Sequence, residues 1–106
     1  MEYIDSYSRK QAIDDGILID VSDLAKANGI RYPVAMTNSL YTLLTDGLVG
    51  TLWTFLERFS EMARSAKGDT LTGFIVARGV PVHFKALAHP GDDMEPVITI
   101  MLEEED

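Results

Sequence analysis

Cysteine is absent from this chain of 106 residues, so neither a disulfide framework nor a thiolate zinc site can form. That composition suits a reducing compartment such as the cytoplasm. No apolar run approaches the roughly 20 residues that a membrane-spanning helix requires. The opening segment MEYIDSYSRK is polar and carries two acids, which is not how a secretory signal begins. The eight glycines form neither a P-loop nor a dinucleotide fingerprint, and no Gly-x-Ser-x-Gly elbow occurs. Catalytic, cofactor-binding and metal-ligating residues are therefore not assigned, and the chain is not expected to be an enzyme.

Bases are also scarce, and the imbalance is local. Nine Lys and Arg stand against seventeen Asp and Glu, a net charge of −8. Residues 1–91 hold ten acids and nine bases, whereas residues 92–106 hold seven acids and no base. Asp92, Asp93, Glu95, Glu103, Glu104, Glu105 and Asp106 thus turn one end of the chain into an anion. Such an end repels phosphate and membrane surfaces and attracts basic partners. A solvated tail that aids solubility accounts for Glu103–Asp106 equally simply.

The hydrophobic fraction of 46% is enough for a core, and the length fits one domain, 1–106. Ser8 is placed to cap RKQAIDD, with Gly16 to end it in a left-handed turn. ILIDV reads as an extended connection or a small strand. Ser22 is placed to cap DLAKAN, closed by Gly29, and Pro33 forces Tyr32 to be extended. Thr37 is the expected cap of NSLYTLLT, which Asp46-Gly47 should end. In TLWTFLERFSEMARSAKG, Leu52, Phe55, Leu56, Phe59, Met62, Ala63 and Ala66 recur at helical steps, with Thr51 placed as cap. TGFIVAR, PVHFKALA and PVITIML then have strand length and short Gly/Pro/Asp connections, which favour antiparallel neighbours. The expectation is an α+β fold: three or four short helices (1–68) on one face of a three-stranded antiparallel sheet (69–102), followed by an acidic tail (103–106).

SDLAKANGIRYPVAMTNSLYTLLTDGLV resembles a helix-turn-helix in outline. Its second helix, however, carries neither Lys nor Arg, and only Lys26 and Arg31 are near it. Counterion release from DNA would be weak, so direct nucleic-acid binding is not expected and stays the alternative. Among the histidines, His83 alternates with Val82 and Phe84 and falls on the solvent face of its strand. His89 precedes a turn with three carboxylates, but its spacing matches no metal motif, and a metal-dependent hydrolase there is the weaker alternative. Trp53 projects about 100° from the centre of its helix's apolar stripe, at 100° per residue. Either Leu48 and Val49 cover it, or it is an anchor for a partner. PVITIML is expected at a sheet edge, guarded by acids at both ends.

In YSRKQAIDDGILIDVS, YPVAMT and PGDDMEPVITIML the chain resembles a family of small uncharacterised proteins of bacterial phages, plasmids and other mobile elements. The resemblance covers roughly the first third and the last sixth of the chain. It implies no active site and no cofactor. It does imply a context, the cytoplasm of a bacterial host, in which such proteins often bind and inhibit host complexes. The expected partner is a host defence or nucleic-acid-processing complex with a basic surface, met by Asp92, Asp93, Glu95, Glu103, Glu104, Glu105, Asp106 and Trp53, in an anti-CRISPR-like manner. A membrane partner is not expected, and a monomer is favoured over self-association through a strand edge or the Trp53 face.

Overall fold

The computed structural model describes residues 7–45, 49–77 and 79–105. The first helix, α1 (Arg9–Asp14), begins as its sequence dictates. Ser8 Oγ accepts from Gln11 N while the Gln11 side chain accepts from Ser8 N, a reciprocal cap that satisfies two donors at once. Gly16, at φ 77°, turns the chain into β1 (Leu18–Asp20), so ILIDV includes a small strand. Next comes α2 (Ser22–Ala27). Ser22 is not its cap but its first residue. The Ser22 hydroxyl donates to Asp20 Oδ1 at 2.6 Å and accepts from Val34 N at 3.0 Å, tying the helix to β2 (Val34–Thr37). Thr37 accepts from Leu40 N at 3.4 Å at the start of α3 (Asn38–Thr45). Asp46-Gly47, expected to end it, lies outside the described residues. The long helix α4 (Val49–Ser65) starts two residues ahead of Thr51, and β3 (Thr70–Ala77), β4 (Val80–Pro90) and β5 (Pro96–Leu102) follow.

The class is α+β; among the described residues there are four helices, but the sheet has five strands, in the order β1-β2-β5-β4-β3. The three-stranded expectation holds for the meander, in which β3–β4 and β4–β5 are antiparallel. It misses β1 and β2, which lie within the part read as helical. β2 pairs antiparallel with β1 and parallel with β5, Ala35 opposite Thr99. PVITIML is therefore the central strand, and its acids guard no edge. Nor do α2 and α3 form a helix-turn-helix. Between them runs β2, whose Val34, Ala35 and Met36 are all buried, as a strand enclosed on both faces requires.

Alternation along the strands sorts side chains into two layers. On one face Val34, Met36, Ile75, Val82, Phe84, Ala86 and Ile100 meet Leu40, Leu44, Leu52, Phe55, Leu56 and Phe59 of α3 and α4 in one core. Phe84 stands edge-on to Phe55 and Phe59, with ring centroids 5.2 and 5.9 Å away. Ala35, Val97, Thr99 and Met101 are also buried yet belong to the other face. There α1 lies beside β1 and reaches β5 through Arg9, so the helices do not share one face as expected. Arg9 donates from Nη1 to Thr99 Oγ1 at 2.7 Å and from Nη2 to Ile98 O at 3.0 Å. Burial lowers the Arg9 pKa from its usual value, opposed by the nearby Asp20, Asp92 and Glu95 carboxylates. α1 is not packed on β3 or β4, and on this face their Phe74, Val76 and His83 side chains are exposed.

Candidate functional site

The acids of residues 92–105 do not form one surface. β5 separates the 91–95 turn from the 103–105 end by its seven residues, about 20 Å of extended chain. Asp92 lies against the start of α1. Its two carboxylate oxygens accept from Arg9 N at 2.9 Å and Lys10 N at 3.0 Å, and these bonds hold its pKa below the usual carboxylate range. Glu95 folds over Gly91 and accepts from Asp93 N at 2.9 Å. A β-carbon at Gly91 would meet the Glu95 carboxylate at 2.6 Å, so any larger residue there would push that side chain aside. Met94, at the tip, takes a left-handed φ of 66° and is 76% exposed. Asp92 and Glu95 thus build the turn, and Asp93 presents its side chain to solvent.

At the other end of β5, Glu105 is also engaged: its Oε1 accepts from Leu102 N at 2.9 Å and from the Thr37 hydroxyl at 2.7 Å. Glu103 and Glu104 are exposed; Asp106 lies outside the described residues. Glu103 Oε1 stands 3.9 Å from His83 Nδ1, and His83 in turn lies beside Phe74, ring centroids 5.4 Å apart. Phe74, His83 and Glu103 therefore form one row across β3, β4 and the end of β5. Val76, cross-strand from Pro81, extends the row along the open sheet face. Phe74 and Val76 are 55% and 58% exposed.

Trp53 is 42% exposed. Leu48 and the side chain of Val49, the residues named to cover it, lie outside what is described. Its neighbour Thr54 borders a groove with Val76, so Trp53 belongs to the same end of the molecule as Glu103. Met36 is buried and Tyr41, partly buried, packs against the core. Phe74 and Val76 were not singled out from sequence, although their alternation with Leu71 and Ile75 was there to be read.

No protein-family model, curated protein or solved structure matches this chain.

His89 belongs to β4 and serves α1. The Pro90 carbonyl, 3.0 Å from Nδ1, can only accept, so Nδ1 carries the proton. Nε2, 2.8 Å from Thr99 Oγ1, then accepts from the hydroxyl that itself accepts from Arg9. Among the described residues no three His, Cys, Asp or Glu side chains converge as a metal site would need. Nor, among them, is any helix long and apolar enough to cross a membrane.

A cleft of about 360 Å³ opens at the opposite end from Glu103, floored by Phe59, Ala63, Leu71, Ala86 and Ile98 and rimmed by Arg31, Arg64 and Asp69. Its volume is at the low end for ligand sites. The carboxyl ends of α2 and α4 border it, and their partial negative charge offsets the two arginines. Charge alone therefore singles out no ligand for it.

Proposed function

We propose that this chain is a small, acidic, non-enzymatic interaction protein of a mobile element. In this reading it binds and inhibits a host defence or nucleic-acid-processing complex, anti-CRISPR-like, in the cytoplasm of a bacterial host. The partner offers a basic surface. The reading is supported above all by the Phe74–His83–Glu103 row, where exposed apolar side chains adjoin exposed acids. Protein interfaces are built this way, with an apolar centre for affinity and a charged rim for steering. Trp53 and Glu104, at the same end, add an anchor and a second carboxylate. Asp93 lies too far away to share that patch, and Asp92, Glu95 and Glu105 serve the fold. No observation favours the alternative of a nucleic-acid-binding regulator, since a buried strand takes the place of the turn between α2 and α3.

The experiment is affinity capture from a nuclease-treated bacterial lysate, eluted along a salt gradient and read by mass spectrometry. The wild-type chain is expected to retain a protein complex and release it at intermediate salt. Glu103→Gln/Glu104→Gln should release it earlier, and Phe74→Ser should fail to hold it. Capture that neither variant alters refutes this surface. Nucleic acid captured only when nuclease is omitted, with no protein, refutes the function.

A further inference from the structure

β3 is the outer strand of the sheet, and its register with β4 runs without a bulge from Thr70↔Leu87 to Ala77↔Val80. Ala88 N donates to Asp69 O at 2.8 Å, which sets the alternation of the ladder. Leu71, Gly73 and Ile75 accordingly bond to β4, while Thr70, Thr72, Phe74 and Val76 turn their N–H and C=O groups outward. Among the described residues no backbone group pairs with these four from outside. Free edges of this length are usually blunted by lysine, proline or a bulge. TLTGFIVA contains none of them. The opposite edge, β1, has three residues and lies beside α1.

Alongside β3 runs α4, and a groove of about 460 Å³ lies between them, lined by Thr54, Arg58, Glu61, Met62, Phe74, Ile75 and Val76. Arg58 and Glu61 are exposed, and neither is in an ion pair among the described residues.

We propose that β3 is a dimerisation edge, to which a second copy of this chain adds its own β3 antiparallel, with the two-fold axis at Gly73. This register joins Thr72 to Phe74 of the second copy and Thr70 to its Val76. Every outward backbone group of both strands is then bonded, in one sheet of ten strands. The occupant is the same chain because the face is its own complement. Two-fold symmetry brings Arg58 of each copy toward Glu61 of the other, as an isologous contact requires. Leu71 meets Ile75 of the second copy beneath the helices. Of the acids that give the chain its negative charge, Asp92, Asp93 and Glu95 lie on the β4–β5 turn, and Glu103 stands two strands in from the seam, across His83. Gly73 contributes no side chain at the axis, and Met62 Cε lies 2.6 Å from where its β-carbon would be.

The test uses the purified full chain alone, so it is independent of any host partner. Sedimentation over a wide concentration range is expected to show a reversible dimer. Hydrogen exchange should show the Thr70, Thr72, Phe74 and Val76 amides gaining protection as the dimer fills. Thr72→Pro removes an N–H that has no partner in a single copy, and it should abolish the dimer while the circular dichroism spectrum stays native. Arg58→Glu, on an exposed helix face, should weaken dimerisation roughly tenfold, and Arg58→Glu/Glu61→Arg should restore it. A chain that stays monomeric at every concentration overturns the proposal and leaves the edge to an extended peptide of another protein. A dimer in which the four amides stay unprotected, or which ignores the charge swap, overturns it as well.

Discussion

Replacing Thr99 by Val tests whether α1 is held to the sheet by a polar chain rather than by Ala12 alone. The side chain keeps its shape and loses one hydroxyl, which accepts from Arg9 Nη1 at 2.7 Å and bonds His89 Nε2 at 2.8 Å. Thr99 is 8% exposed, so water replaces the lost partner poorly. A hydrogen bond to a charged group contributes about 1.5–3 kcal/mol. Arg9 is only part-buried and keeps Ile98 O, so solvent screening brings the expected loss to about 1–2 kcal/mol. At about 4–8 °C per kcal/mol for a domain near this size, Thr99→Val should melt roughly 5–15 °C below the wild-type chain. Urea unfolding of Thr99→Val, Arg9→Met and the double variant then gives the coupling between the two side chains, expected near 1 kcal/mol. If Thr99→Val lies within about 0.5 kcal/mol of wild type, or the two substitutions add, the bonded chain does not hold α1.

Four further outcomes follow from the structure. Asp92→Asn should remove part of the acid sensitivity of folding: a carboxylate whose folded pKa is depressed stabilises fully above its unfolded pKa, and that contribution is lost as pH falls below about 4. An acid titration followed by fluorescence, compared with wild type, checks this, and identical acid limbs count against the Asp92–α1 bonds. Phe84→Ala, which empties the centre of the Phe55–Phe59 cluster, should cost about 3–5 kcal/mol in denaturant unfolding. Met94→Asn should raise stability by about 0.5–1 kcal/mol, because Asn tolerates the left-handed backbone better than Met. Glu105→Ala, which strips the acceptor from Leu102 N and the Thr37 hydroxyl, should destabilise by about 1–2 kcal/mol, whereas Glu104→Ala should leave the unfolding midpoint unchanged.

The local elements were legible because their signals are local. The Leu52–Phe59 stripe, the Ser8–Gln11 cap and the glycines after α1 and α2 each act within a few residues. The meander was legible from its short connections. β2 was not, because Val34, Ala35 and Met36 are buried on both faces and show no alternation. Its partner β5 lies more than sixty residues further along the chain. The charge of residues 92–106 was plain in the sequence, but not its division. Whether Asp92 meets solvent or the first turn of α1 depends on a contact across 83 positions, which no window of sequence contains. Misreading β5 as an edge followed from the same limit, since strand order is a property of the assembled sheet.

The central place of β5 also governs the order in which the molecule can assemble. Without residues 96–102 in place, β1–β2 and β3–β4 are two separate strand pairs with no strand between them, and isolated two-stranded pairs are marginal in water. β5 thus joins both halves, to β4 through a local hairpin and to β2 through a pairing of long sequence separation that is slow to find. Wherever β5 is not yet docked, β2, β3 and β4 all have open edges at once. A chain in that state is prone to associate with its neighbours.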